Sequence, residues 1–230
     1  MTATQPSIGR LYVGASGFSY PSWRGGFYPA GTKPGEFLRF YAGLLPSVEV
    51  NATFYNLPSE AAFAGWAETA PPGFRFALKL YRRALYGDLE QLAAFSERAR
   101  LLGEHLGPIR LVVGRKRDDG YLRAMLDALD PKLKWAFDFR HPSWEVDDVL
   151  EEAGVVRVGA LEGPAPFRYV RLREPPYDET SLTAWAERLR PALASGLDVY
   201  CYFKHEDAPT APAYAARLLE LVAPTGGTRD

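Results

Sequence analysis

Apolar runs of strand length alternate along the chain with segments whose apolar residues recur at helical spacing. Each strand-like run is rich in Val, Leu, Phe and Tyr and ends near Gly, Pro or charged residues. Eight such runs begin at Leu11, Ser47, Arg75, Ile109, Leu133, Val155, Phe167 and Asp198. The alternation predicts parallel strands joined by helices.

The segments between the runs carry helix signals. Ser59 and Asp118 each precede a helix-periodic stretch, where N-capping residues belong. An apolar stripe over 89–106 predicts one long helix, closed by the Gly-Pro pair that follows it. The connection over 161–166 is too short for a helix.

These elements predict an α/β fold in the form of a single (β/α)₈ barrel, TIM-barrel-like, with one shortened βα unit. We expect one domain over 1–230, with its core at about 11–222. The alternative is an open doubly wound sheet, which often carries a glycine-rich phosphate loop after its first strand. Residues 14–26 are rich in glycine but lack the G-x-G-x-x-G spacing and contain Pro21, so the barrel is favoured.

Composition narrows the class of protein. Hydrophobic residues make up 47% and charged residues 24%, and a net charge of -1 argues against a globally basic nucleic-acid binder, while a local basic patch stays open. The single Cys201 excludes an intramolecular disulfide. Neither an apolar signal segment nor a run of about 18 apolar residues is present. We therefore expect a cytoplasmic protein with no membrane partner.

Two-residue alternation assigns a polar set to the inner faces of the predicted strands. In a barrel the site lies at the C-terminal ends of the strands, so this set would line its mouth. The set is Ser16, Glu49, Asn51, Lys79, Asp138, Arg140, Arg171, Arg173, Tyr202 and Lys204. It holds five cations against two anions. Because unpaired buried charge is costly, some cations must pair and the rest face water or an anionic ligand.

Six segments of the chain resemble the domain of unknown function 72 family, the YecE-like proteins. They are GASGFSYPSWRGGFYP, VEVNATFYNLPS, GFRFALKLYRR, FDFRHPSW, YVRLRE and YFKHED, in order between about Leu11 and Leu221. The resemblance implies a TIM-barrel-like fold and a family without an assigned activity. Three mouth segments depart from the family pattern, over 113–118, at 171–174 and at the pair Lys204 and His205, so an activity shared by the family could be altered here.

Three residues are candidate catalysts. Glu49 and Asp138 could act as general acid or base, or could pair with neighbouring cations. His141 follows the fifth strand and could be an acid, a base or a ligand, or could shape the turn. Together with His205 they would form a carboxylate and imidazole metal set, although nearby cations oppose a metal. No cofactor is therefore expected, and a divalent metal is the alternative.

The loops of the predicted mouth add binding candidates. Five aromatic residues after the first strand, Phe18, Tyr20, Trp23, Phe27 and Tyr28, could form a stacking wall or a hydrophobic plug. The basic triplet Arg115 to Arg117 could be a solvated turn or could contact a phosphate of nucleic acid. Glu49 and Asp138 of the inward set are the candidate catalysts, and Trp23, Tyr55 and His205 join its remaining members as binding candidates. The predicted binding residues are Ser16, Trp23, Asn51, Tyr55, Lys79, Arg140, Arg171, Arg173, Tyr202, Lys204 and His205.

Two functions fit these observations. The first is an enzyme that acts on a small anionic or phosphorylated substrate by acid and base chemistry of the hydrolase, lyase or isomerase type. The second is a non-catalytic module that binds a phosphorylated ligand or a nucleic-acid strand on the same scaffold. The sequence favours the enzyme but leaves both open, together with the oligomeric state.

Overall fold

Parallel strands and helices alternate in a computed structural model that describes residues 8–223. The strands are β1 Leu11–Ala15, β2 Ser47–Val50, β3 Arg75–Lys79, β4 Leu106–Val113, β5 Trp135–Phe139, β6 Val156–Arg157, β7 Arg168–Leu172 and β8 Val199–Phe203. The helices are α1 Phe37–Ala42, α2 Ala52–Tyr55, α3 Glu60–Thr69, α4 Arg82–Leu85, α5 Leu89–Arg100, α6 Asp119–Ala128, α7 Asp147–Glu152, α8 Glu179–Ala194 and α9 Thr210–Val222. The predicted α/β class is confirmed, and β6 leads into β7 without a helix.

The strands form two parallel sheets, ordered β1-β8-β7 and β2-β3-β4-β5-β6. A single bridge between Ser16 and Glu49 links β1 to β2. Between β6 and β7 the Gly159 N–H donates to the carbonyl oxygen of Tyr169 at 2.8 Å. Within residues 8–223 no continuous ladder crosses either point, in part because β6 has only two residues. The predicted closure into one eight-stranded barrel is therefore not confirmed by the strand pairing.

Alternation along the strands separates two buried clusters. The inner cluster draws on both sheets and contains Tyr12, Ala77, Ala136, Val156, Phe167, Tyr169, Tyr200 and Tyr202. The opposite faces of the strands, with Val48, Val170 and Phe203 among them, pack in the larger cluster with the helices. Cys201 belongs to this outer cluster and is fully buried. Residues of both sheets thus pack in one shared cluster.

Short polar side chains cap the N-termini of four helices by accepting hydrogen bonds from backbone N–H groups. Ser59 Oγ accepts from the N–H of Ala62 at 3.3 Å, and Asp118 Oδ1 accepts from the N–H of Tyr121 at 2.9 Å. Asp88 and Asp178 cap α5 and α8 in the same way. Each cap satisfies a backbone donor that the first helical turn leaves without a partner.

The predicted long helix over 89–106 was wrong at its C-terminal end. Helix α5 ends at Arg100, and a 3₁₀ turn over Gly103–His105 leads directly into β4. Gly103 has a φ of +55°, which ends the helical path. Gly107 and Pro108, taken as the helix stop, lie in β4 instead. His105 in this 3₁₀ turn is buried, with Nδ1 3.1 Å from the Phe74 carbonyl oxygen.

Gly14 lets β1 pass close to β2 at the joint between the sheets. A Cβ at this position would lie 1.9 Å from the carbonyl oxygen of Ser47 and 2.7 Å from the hydroxyl of Tyr41. That buried hydroxyl donates to the Ser47 carbonyl at 3.0 Å and accepts from the Ala15 N–H at 2.7 Å. Tyr41 therefore satisfies backbone groups at the joint, and a larger residue at position 14 would displace them.

We predict that Gly14→Ala lowers the free energy of unfolding by about 2 kcal/mol or more, because the added methyl group overlaps backbone atoms that cannot move away. Urea denaturation followed by circular dichroism measures the change. Gly65→Ala in α3 is the matched control, since its Cβ meets no atom within 4 Å and should stabilise the helix by about 0.5–1 kcal/mol. Equal stability of Gly14→Ala and the unchanged protein would contradict the close approach.

Candidate functional site

A cavity of about 920 Å³ opens at the carboxyl ends of the strands. Its lining includes six cationic side chains and no carboxylate within the described part of the chain. The cations are Lys79, Arg110, Arg140, Arg171, Arg173 and Lys204. Most of them end a strand or follow one, whereas Arg110 lies within β4. The wall therefore has a strong positive bias that the sequence alone only partly indicated.

Glu49 lies fully buried below these cations. Its Oε2 accepts hydrogen bonds from Arg110 Nη1 at 2.6 Å and from the Tyr169 hydroxyl at 2.5 Å. Its Oε1 lies 3.0 Å from Arg171 Nε in an ion pair whose N–H is not aligned for a hydrogen bond. The Glu49 carboxylate thus contacts two guanidinium groups and the phenol of Tyr169.

Asp138 collects three further contacts on a single oxygen. Its Oδ2 accepts from Arg110 Nε at 2.9 Å and from Arg173 Nη2 at 2.7 Å. Arg140 Nη2 lies 3.2 Å from the same oxygen. Arg110 is itself buried and contacts both carboxylates, so it connects β2 to β5 through β4. The two anions of the site are therefore paired below the cavity rather than exposed in it.

The pairing fixes the charge state of the buried floor. Burial alone would raise the pKa of Glu49, yet the Arg110 and Arg171 guanidinium groups and the Tyr169 hydrogen bond lower that pKa from 4.5 to about 2. Burial likewise acts to lower the pKa of Arg110, but Glu49 and Asp138 raise it overall. Both groups stay ionised near neutral pH, and Glu49 has no proton to exchange there.

The floor leaves the wall with a surplus of positive charge. Six cations against the two carboxylates of Glu49 and Asp138 give a formal excess of four. Three arginines share these carboxylates with Arg110, whereas neither Lys79 nor Lys204 forms an ion pair within residues 8–223. Like charges held close together are costly unless water or an anion screens them.

The loops after β1 and β8 close one side of the cavity. The His205 N–H donates to Ser16 Oγ at 2.9 Å, and His205 Nδ1 lies 3.1 Å from the same oxygen. The Tyr20 ring stacks on the imidazole with 4.8 Å between ring centres, and its hydroxyl donates to the Ser16 carbonyl at 2.8 Å. Burial, with Arg171 and Lys204, lowers the pKa of His205, so its imidazole is neutral at pH 7.

Most of the predicted binding residues come together in this cavity. Those that line it are Asn51, Tyr55, Lys79, Arg140, Arg171, Arg173, Lys204 and His205. Ser16 is fully buried and reaches the site through His205. Trp23 and Tyr202 do not line it: Trp23 Nε1 donates to the Glu206 carbonyl at 3.2 Å, and the Tyr202 hydroxyl lies 2.6 Å from Ser47 Oγ.

The three predicted catalysts do not share the cavity surface. Glu49 and Asp138 lie beneath it and contact arginines. His141 is outside the lining, where its Nδ1 accepts from the Ser143 N–H at 3.2 Å and lies 2.9 Å from Ser143 Oγ. This geometry shapes the turn after β5, which was one of the two roles considered for His141.

The aromatic loop lies partly in the core and partly at the cavity. Trp23 and Tyr28 are buried against the core and act as a plug. Phe18 and Tyr20 line the cavity, and a stacking role for them stays a prediction. The same loop therefore anchors itself and shapes the site.

The basic triplet lies outside the cavity lining. Arg115 pairs with Asp118 at 3.5 Å, and Arg117 pairs with Asp119 at 2.7 Å. Lys116 between them is exposed. These contacts are those of a solvated turn.

Sequence reasoning missed Arg110, although the signal for it was present. Ile109 and Leu111 pack outward in the helix-facing cluster, so the alternation turns Arg110 to the interior. Because the neighbours of Arg110 are apolar, the sequence around it is typical of an ordinary core strand. With Arg110 included, the predicted surplus of three positive charges becomes four.

Among the described residues, neither a metal-binding group nor a helix fit to span a membrane is present. Among residues 8–223 no three or more His, Cys, Asp or Glu side chains are grouped closely enough to hold a metal ion. In particular, the proposed set of Glu49, Asp138, His141 and His205 is not one cluster. None of the helices described is both long and apolar enough to cross a membrane.

Comparisons with known proteins agree with the fold. The family described as protein of unknown function DUF72 matches residues 12–229, which confirms the resemblance seen in the sequence. A DUF72 family protein from Thermotoga maritima is 22% identical with a TM-score of 0.79, over 93% of this chain and 99% of that chain. A DUF72 family protein from Enterococcus faecalis is 16% identical with a TM-score of 0.79, over 96% of this chain and 100% of that chain. At such identities the likeness shows a shared fold alone. A search of the curated proteins found no match.

We predict that Glu49→Gln lowers the free energy of unfolding by about 3 kcal/mol, because it leaves Arg110 and Arg171 buried with one counter-charge fewer. Denaturation in urea measures the loss. Glu179→Gln is the matched control, since its pair with Arg217 at 2.5 Å is exposed and its loss should leave the midpoint almost unchanged. Equal behaviour of the two variants would contradict a buried ionic floor.

The lowered pKa of Glu49 also predicts acid sensitivity. A carboxylate whose pKa is lower in the folded state than in the unfolded state stabilises the fold above its unfolded pKa, and this stabilisation disappears as the pH falls. We expect Glu49 to contribute about 3 kcal/mol that is lost between pH 4.5 and about pH 2. Stability measured over this range should change less steeply in Glu49→Gln. An identical pH profile in both proteins would show that Glu49 has an ordinary pKa.

Proposed function

We propose that this chain, which belongs to the DUF72 family of proteins of unknown function, is an enzyme that acts on a small anionic or phosphorylated substrate in its cationic cavity. One observation carries this proposal. Among residues 8–223 the cavity lining holds six cations and no carboxylate, and the two carboxylates beneath it leave a formal excess of four positive charges. A phosphate or carboxylate group on a ligand is the complement of such a surface.

The cations differ in how free they are to bind. Arg110 and Arg171 are held by Glu49, and their positions are thereby fixed before any ligand arrives. Lys79 and Lys204 have no ionic partner in the described residues. A ligand anion would therefore meet preorganised guanidinium groups and two lysines whose charge is uncompensated.

In this proposal Glu49 and Asp138 position the arginines instead of transferring protons. A carboxylate with a pKa of about 2, such as Glu49, is a weak general base near neutral pH. His205 is better suited, because it lines the cavity, is neutral at pH 7 and is held by Ser16 and Tyr20. We assign the acid and base role of the first hypothesis to His205.

We also propose that the two sheets act as one barrel-like frame. The bridge between Ser16 and Glu49, the Gly159 to Tyr169 hydrogen bond and the interior shared by both sheets support this arrangement. In such a frame the carboxyl ends of all the strands surround one site. The position of the cations at these ends fits a barrel mouth.

The shape of the site favours a small ligand over a nucleic-acid strand. A volume of about 920 Å³ lies within the range of small-molecule sites, and the cations converge on it from several strands. A strand would need a groove that tracks successive phosphates. The basic turn that could extend such a groove, with Arg115 and Arg117, is paired with its own acids.

We predict that a small phosphorylated compound or dicarboxylate binds, and that Lys204→Met weakens its binding about tenfold or more, because one charge-assisted contact is lost. A thermal-shift screen of sugar phosphates, nucleotides, dicarboxylates and short oligonucleotides would identify the ligand, and calorimetry would measure its affinity. Lys116→Met is the control, since Lys116 is exposed and outside the cavity lining.

Two outcomes would count against this function. Binding of oligonucleotides alone, with a steep dependence on salt, would favour the non-catalytic module. If none of the compounds changed the melting temperature, the result would contradict the proposal that the cavity binds an anion.

A further inference from the structure

Lys79 differs from every other lysine of the chain. It is the last residue of β3 and is partly buried, whereas Lys33, Lys116, Lys132, Lys134 and Lys204 are all exposed. Its Nζ lies 3.7 Å from the centre of the Phe54 ring and forms no ion pair within the described residues. The amine therefore points into the cavity with an aromatic face beside it and no carboxylate in contact.

The surroundings of Lys79 lower the pKa of its amine. Burial lowers its pKa, and the guanidinium groups of Arg110, Arg171 and Arg140 lower it further against the opposing effect of Glu49. The Phe54 ring attracts the ammonium form and acts in the other direction. Desolvation and a neighbouring cation are the two conditions that make a lysine nucleophilic near neutral pH.

We propose that Lys79 is a nucleophilic amine that forms a Schiff base with the carbonyl group of the substrate. This inference rests on the proposed function, because the neighbouring arginines would hold the anionic group of that same substrate. The substrate class is then a small aldehyde or ketone that carries a phosphate or carboxylate. Arg171 and Arg140 line the cavity with Lys79 and can hold the anion while the amine meets the carbonyl carbon.

The step balances without any further reagent. The Nζ lone pair attacks the carbonyl carbon, a C–N bond forms and the C=O π electrons move to oxygen, which takes a proton from the nitrogen. The resulting carbinolamine then loses its hydroxyl group with the remaining N–H proton as one water molecule. One amine and one carbonyl thus give one imine and one water, with no change of oxidation state.

Pyridoxal 5′-phosphate is a suitable probe, since it joins an aldehyde to a phosphate. The protein is incubated with it at neutral pH, the imine is reduced by borohydride, and the six lysines are mapped by peptide mass spectrometry. We expect at least about tenfold faster labelling of Lys79 than of Lys33, Lys116, Lys132 or Lys134, because a desolvated amine beside cations is activated. An excess of inorganic phosphate should slow the labelling of Lys79 and leave that of Lys33, Lys116, Lys132 and Lys134 unchanged.

Matched variants separate the amine from its charge. Lys79→Arg keeps the positive charge but cannot form the imine, so it should lose the rapidly labelled site and still bind the phosphate probe. Lys116→Arg changes an exposed lysine outside the cavity lining and should keep rapid labelling of Lys79. Melting temperatures would establish that both variants fold.

The failures of the two proposals are distinguishable. Pyridoxine 5′-phosphate has no aldehyde, and its binding by calorimetry reports the anion site alone. If it binds but Lys79 is labelled no faster than Lys116, the Schiff base is overturned and the anion site stands. If it does not bind and Lys79 is labelled slowly, both proposals fail. Equally fast labelling by pyridoxal without the phosphate would overturn the anionic substrate class.

Discussion

Arg110 contacts two buried carboxylates at once, and the rest of the site is arranged around this bridge. Its guanidinium group reaches Glu49 on β2 through Nη1 and Asp138 on β5 through Nε. Charges removed from water in this way stabilise a fold only when their partners and hydrogen bonds are well placed. The bridge therefore requires the ends of three strands to keep a fixed spacing, which gives the cavity a rigid floor.

The same bridge explains why the cavity is cationic. The carboxylates of Glu49 and Asp138 are used below the surface, where each holds more than one guanidinium group. Their negative charge is thus shared among Arg110, Arg171, Arg173 and Arg140, and the sides of these groups that face the cavity keep their donors. Both carboxylates position arginines below the surface, so the charged groups that line the opening are cations.

The sequence predicted the frame of this site better than its chemistry. Alternation in strands placed Lys79 and Arg171 inward correctly, because side-chain direction follows from local backbone geometry. It left open whether Glu49 would be paired, since that depends on Arg110 and Arg171, which lie on other strands and come close only in the folded chain. The two-residue length of β6 and the helix end near Gly103 also depend on tertiary packing and on a single backbone angle, which periodicity does not encode.

The contact between Ser16 and His205 also constrains how the protein is made. These residues are 189 positions apart, yet the hydrogen bonds between them close one wall of the cavity. During synthesis the ribosome must therefore release the chain through position 205 before the wall can form. Until then Lys79, Arg110 and Arg140 have been translated but have no completed cavity around them. A chain that ends before position 205 lacks the hydrogen-bond partner of Ser16, so this wall of the cavity cannot form.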